Sequence, residues 1–280
     1  MLNDLVPTSA RQTNKRKNMP TWQRPRFQSD SEPRAYVRSL ATEALNHHAV
    51  LHPYLEDLGA GRLPDMRWAL ADFARHYFGY SRHFPRYLTT VISRLEDARH
   101  RAGLLENLTE ESGQYGEDDL AELARLGIDR EWIVGVPHPA LFQRFARVMD
   151  VDTSNQTPET EADHVACWRE MFLAVLGFAS AAEAVGALGL GTENIVSTIY
   201  IPFVHAIADL GLPARETVFF PLHTAVDDHH QETLQSIASD LASTPQGRLD
   251  LRRGMLKALG MRSAFWDWLH ARALSPSTAD

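Results

Sequence analysis

From about Ser31 to Leu274, apolar residues recur at three- and four-residue spacing almost without a break. No stretch alternates apolar and polar residues long enough to make a strand, and clusters such as Trp132-Ile133-Val134 are too short to build a sheet. A chain with one periodicity must bury helix against helix, so the pattern predicts an all-α bundle of about eight or nine helices. Proline, glycine and capping residues set the expected breaks. Pro33 suits the first turn of a helix from about Ser31 to His48. Asp65 is a candidate N-cap for a helix through Trp68, Leu70, Phe73, Tyr77 and Tyr80, which Pro85 ends or kinks. One or two pieces follow over Arg86 to Gly113, then a short amphipathic helix, Asp118 to Leu126, ended by Gly127. Pro139 opens a helix through Val148, and Thr157-Pro158 opens a long one to about Leu188. Thr192 reads as the cap of a helix to Leu210 that carries Pro202. Pro213 precedes the helix holding His223, and Thr244-Pro245 opens the last, ending near Leu274.

The pattern implies a mobile N-terminal tail over residues 1–30, a folded domain over 31–274 and a short tail over 275–280. With 280 residues, 44% of them apolar, the chain can bury a sizeable core. A net charge of -8 argues against a general nucleic-acid binder, and Lys15-Arg16-Lys17 reads as a solvated stretch of the tail. The single cysteine, Cys167, excludes an internal disulfide framework and a multi-cysteine zinc site, and is expected to pack within an apolar helix. No run of 18 apolar residues and no apolar signal core at the N-terminus is present, so a cytoplasmic protein without a membrane span is expected.

Read as one helix, Phe219 to His230 puts His223, Asp227 and His230 at i, i+4 and i+7, on a single face. Two imidazoles and a carboxylate there make half of a metal site suited to a first-row metal, iron in particular. The plainer reading is a polar face of solvated side chains. Glu193 is a lone acid in an apolar stretch, either a metal ligand or a first-turn carboxylate that favours the helix dipole. Leu105 to Gly113 offers Glu106 and Glu110 on one face and Glu111 off it; alone, this is a solvated helix end. His138, between Pro137 and Pro139, sits at a helix start. Ser197 and Tyr200 follow Glu193 at i+4 and i+7 and share its face, and His76, Tyr80 and His83 form another such stripe. Both sets fit a pocket lining or ordinary packing.

Taken in order, Glu-Asn-Leu-x-Glu-Glu-x-Gly, His-Pro-x-Leu-Phe, Gly-Thr-Glu and His-x3-Asp-x2-His resemble the heme-oxygenase-like diiron oxidases, relatives of the thiaminase-type and pyrroloquinoline-quinone synthase folds. The resemblance runs from His52-Pro53 to the last helix. It implies a heme-oxygenase-like helical bundle and the ligand set Glu110, His138, Glu193, His223, Asp227 and His230, with Glu111 as the alternative to Glu110. It implies two Fe(II) ions, O2 as co-substrate and a small-molecule substrate. N-oxygenation of an amine or amino acid is the preferred reaction, and oxidative C–C cleavage of an amino acid or fatty acid the second. An external electron donor and a homodimer are expected by analogy. Pro221, just before His223, deletes a helix hydrogen bond and would loosen the helix that carries half the ligands. Asp118 to Pro137 is longer than in many relatives and is expected to form a lid or rim. Two further readings stay open: a metal-free bundle that binds a small molecule, and a single zinc site, although zinc favours four ligands.

Overall fold

In the computed structural model the residues described are 33–157, 160–225 and 227–276, without the side chains of 227–230. They form fourteen α-helices and one π-helical segment, and no strand. The helices are α1 Pro33–Leu45, α2 Pro53–Gly59, α3 Met66–Ser81, α4 Phe84–Arg94, α5 Ala98–Glu111, α6 Glu117–Arg125, α7 Arg130–Ile133, α8 His138–Val148, α9 Asp163–Phe178 and α10 Ala181–Val185. The π-helical segment Gly186–Glu193 leads into α11 Asn194–Asp209, followed by α12 Phe219–Ala225, α13 Asp227–Leu241 and α14 Pro245–Leu274. The expected tail 1–30 and residues 277–280 lie outside the described residues.

Local chemistry sets many of these ends. The Asp65 carboxylate accepts from the Trp68 amide and starts α3. Thr244 does the same for Gly247 at the head of α14. Gly127, with φ of 83°, closes the turn after α6 in the left-handed region. The helix count exceeds expectation because long patterns are divided. The Arg86–Gly113 stretch falls into α4 and α5, with Asp97 capping the second piece. The stretch expected to run to Leu188 breaks after Phe178, where Ser180 caps α10 through the Glu183 amide.

Two expectations are corrected. Thr192 caps nothing: the backbone is helical through it, and its hydroxyl donates to the Ala187 carbonyl five residues back, at 3.0 Å. Glu193 has helical φ and ψ of -60° and -43°. There is no exposed helix N-terminus for it to neutralise, so the first-turn reading of this acid fails. Cys167 is also corrected. It is exposed on α9, because that helix is apolar on more than its buried side.

The core is aromatic. Phe73, Tyr77, Phe142, Phe203, Phe220 and Trp266 are all nearly or fully buried, and Phe73 lies 4.3 Å from Phe203 and 4.7 Å from Tyr77 between ring centroids. Glycines let the π-helical segment lie against α14. A Cβ on Gly254 would land on the Glu183 carbonyl oxygen, and one on Gly186 would strike the Leu251 carbonyl. A Cβ on Gly191 would come within 2.7 Å of the Ala258 Cβ.

Two stability outcomes follow. Gly254→Ala should cost about 1–3 kcal/mol in urea denaturation, because the added methyl forces helices apart. Gly260→Ala, on the same helix with open space around it, should be neutral or stabilise by up to about 1 kcal/mol. The second outcome concerns His83. Its Nε2 accepts from Arg82 Nε at 3.2 Å, and burial, then Arg82, Arg169 and Arg86, lower its pKa from 6.5 to about 4. The folded state therefore holds this imidazole neutral. Its contribution is complete above the unfolded pKa and is lost as pH falls from 6.5 toward 4. Replacing His83 with Gln should reduce the loss of urea midpoint between about pH 7 and about pH 5; an unchanged loss would contradict this assignment.

Candidate metal centre

Four elements bring the candidate ligands together. Glu111 is the last residue of α5, His138 the first of α8, Glu193 the last of the π-helical segment, and His223 lies on α12. Ligand atoms of Glu111, His138 and His223 all lie within 4.8 Å of one another. Glu111 Oε1 is 3.0 Å from His138 Nδ1, and the His138 and His223 rings are 4.7 Å apart. Glu193, 5% exposed, lines the same cavity.

The approach of α5 to α8 depends on a glycine pair. The Gly135 amide donates to the Gly113 carbonyl at 2.8 Å. Gly113 has φ of 83°, and a Cβ there would meet the Val136 backbone at 2.6 Å. This clasp sets the end of α5 beside the start of α8. It also delivers Tyr115, whose hydroxyl lies 2.8 Å from His138 Nε2. Burial, with Glu111 and Glu110 near, raises the Tyr115 pKa, so the phenol stays protonated. The phenol oxygen can also accept from His138 Nε2, which leaves Nδ1, beside Glu111, able to carry the lone pair that a metal needs. His223 is oriented differently. Its Nδ1 lies 2.7 Å from the Phe219 carbonyl, which can only accept, so the proton sits on Nδ1 and Nε2 carries the lone pair.

The acids of α5 separate clearly. Glu111 is buried against His138, whereas Glu110 is half-buried and lines a separate surface recess with Glu106, Thr109 and Gln114. The structure therefore brings Glu111, and not Glu110, to His138 and His223. Asp227 and His230 begin α13, but their side chains lie outside the described residues, as does Val226 between α12 and α13. Tyr80 and Tyr200 line the cavity. Ser197 is half-buried and outside the lining. His76 pairs with Asp72 at 3.3 Å and packs on Trp268, and His83 sits at the α3–α4 corner, so neither reaches the cavity wall.

Among the wall and supporting residues that the sequence reading does not offer are Tyr77, Thr192 and Tyr115. Tyr77 shares a helix face with Tyr80, a spacing that announces it. Thr192 was read as a cap. Tyr115 reaches His138 only because of the Gly113 turn, which leaves no mark in local periodicity. The cavity is tight as it stands, with about 30 Å³ of enclosed space.

A second cluster, His48, His52 and Asp267, also has metal-like spacing. Its hydrogen bonds argue against that use. His52 Nδ1 accepts from the Tyr54 amide and caps α2. Nε2 must then carry the proton that goes to Asp267 at 3.1 Å. No lone pair remains on that imidazole for a metal. In the main cavity, by contrast, imidazole nitrogens and carboxylate oxygens converge as an iron site requires.

Among the described residues, no helix is long and apolar enough to cross a membrane. No curated protein matches the chain in sequence. A cadd-like protein of unknown function from Nostoc punctiforme PCC 73102 superposes with a TM-score of 0.68 at 14% identity, covering 88% of this chain and 100% of that one. A TenA homolog from Pseudomonas syringae pv. tomato str. DC3000 gives 0.65 at 14% identity, over 88% and 96% of the two chains. A domain with a heme oxygenase-like fold from Shewanella denitrificans OS217 gives 0.57 at 15% identity, over 86% and 93%. These likenesses establish the fold. Residues 71–263 match the model of the iron-containing redox enzymes. With that match and the heme-oxygenase-like bundle, the chain belongs to the iron-containing redox enzyme family.

Proposed function

We propose that the protein is a nonheme diiron oxygenase that uses O2 to oxidise a small molecule, with N-oxygenation of an amine or amino acid as the preferred reaction. The observation that carries this reading is the convergence of Glu111, His138 and His223 in a cavity whose wall also holds Glu193. Asp227 and His230 complete the set by the sequence spacing that follows His223. Three imidazoles and three carboxylates suit two ferrous ions in charge and in donor type.

Iron, when bound, supplies binding and reduction of O2 beside the substrate. The chain's own residues do the rest. Tyr115 holds the outer nitrogen of His138, fixing the ring plane, as groups behind metal-binding histidines do. The Phe219 carbonyl fixes the His223 tautomer. Glu193 comes from a π-helical turn, a geometry frequent at functional sites because it displaces a side chain from the ordinary helix face. Tyr77, Tyr80, Val196, Tyr200 and Phe219 give the cavity a largely aromatic wall that limits water around the reacting substrate. Returning the site to its ferrous state calls for an external electron donor. Oxidative C–C cleavage would use the same ligands and is separated from N-oxygenation by the product.

Anaerobic loading of the full chain with Fe(II) should give about two irons per chain by elemental analysis. Glu111→Gln and His223→Ala should lower that content, while Glu110→Gln should not. Tyr115→Phe should retain the fold and weaken iron retention by about 10-fold or more against a chelator. O2 uptake by the loaded chain should rise when the right amine or amino acid is present, with an N-oxygenated product by mass spectrometry. No iron uptake by the wild-type chain would favour a metal-free binding protein instead.

A further inference from the structure

Helix α9 carries an apolar stripe that is open to solvent. Cys167, Met171, Ala174 and Phe178 are all exposed, Met171 by 57% and Phe178 by 89%. Their spacing of four, three and four residues puts them on one face of the helix, in the pattern by which helices pair. Phe178 is the last residue of α9. A phenyl ring left in water on such a stripe marks a contact surface.

A recess lies at the other end of the stripe. Cys167, Trp168 and Met171 of α9 line it, with Met261, Ala264 and Phe265 of α14. The buried rings of Trp168 and Phe265, 4.6 Å apart, form its floor. One helix face therefore carries both a knob, Phe178, and a hole beside Cys167, about 16 Å along the axis from it.

A two-fold axis crossing α9 midway between Met171 and Ala174 exchanges knob and hole. It sets Phe178 against the partner's Cys167, at the recess, and Met171 against the partner's Ala174. In each pair a large side chain meets a small one, so two identical helices can approach closely. Charge agrees with shape. Asp163 is exposed and lines the recess. Arg94 is exposed and donates to the Ala179 carbonyl at 2.6 Å, next to Phe178. The same rotation brings the acidic edge of one recess toward the basic flank of the other copy's knob.

We propose that the protein pairs with a second copy of itself through α9, with Phe178 of each copy seated in the α9–α14 recess of the other. The recess shares no lining residue with the metal cavity, so the pairing is independent of iron.

Sedimentation equilibrium of the full chain tests the pairing. A dimer is expected at micromolar concentration, and Phe178→Glu should weaken it by about 30-fold or more, the effect of losing a buried aromatic anchor. Because Phe178 is on the surface, the variant should keep wild-type helical circular dichroism and take up as much Fe(II). The single native cysteine tests the register. On oxidation with diamide, Phe178→Cys should form a disulfide to the partner's Cys167, identified by peptide mass spectrometry, and adding Cys167→Ser should abolish that link. Wild type should form no link between its two Cys167 thiols, which lie about 16 Å apart along the paired helices. A monomeric wild type, whatever else covers the recess, would overturn the proposal. So would a dimer that Phe178→Glu leaves intact, or a Phe178→Cys dimer linked only between the two introduced thiols.

Discussion

The close contact between the π-helical segment and α14 sets the position of Glu193, the one candidate ligand that comes from the centre of the bundle. Gly186, Gly191 and Gly254 remove the methyl groups that would hold the two backbones apart. On one side of the contact the segment delivers Glu193 to the cavity; on the other, α14 carries the buried Arg262 against the rings of Tyr80 and Trp168. A looser contact would separate the acid from the histidines that α8 and α12 bring. The extra residue per turn of a π-helix is normally a cost, and here tertiary packing on α14 offsets it.

A second clasp does for His138 what the glycine contact does for Glu193. The Gly113 turn and the Gly135 amide bind the end of α5 to the start of α8, so a carboxylate and an imidazole from distant parts of the sequence come within hydrogen-bond distance. The segment between these two glycines contains α6 and α7, where the sequence suggested a lid or rim. What it supplies to the site is Tyr115.

Much of this was legible in the sequence, for physical reasons that vary by element. Helical periodicity identified the class, and caps such as Asp65 and Thr244 work locally, so their helices begin where the side chains say. The choice between Glu110 and Glu111 was not legible. Adjacent residues at a helix end both offer carboxylates, and only the docking of α8 selects the one that meets His138. The run Gly186 to Glu193, with three glycines before an acid, reads as a break followed by a cap; burial against α14 makes it helical instead. Arg262 gave no signal, because an arginine between apolar residues reads as surface until its neighbours are known. Cys167 misled for the opposite reason, since an apolar helix conceals which side faces solvent.

The central claim is that Glu111, His138, Glu193 and His223 surround an iron centre. Anomalous diffraction from crystals of the Fe(II)-loaded protein, collected on both sides of the iron edge, tests it most directly. The account predicts two adjacent iron peaks in the cavity, with Glu111, His138 and His223 among their ligands and Asp227 and His230 completing the shell. A peak confined to the His52–Asp267 cluster, or no iron in the cavity at all, would contradict it.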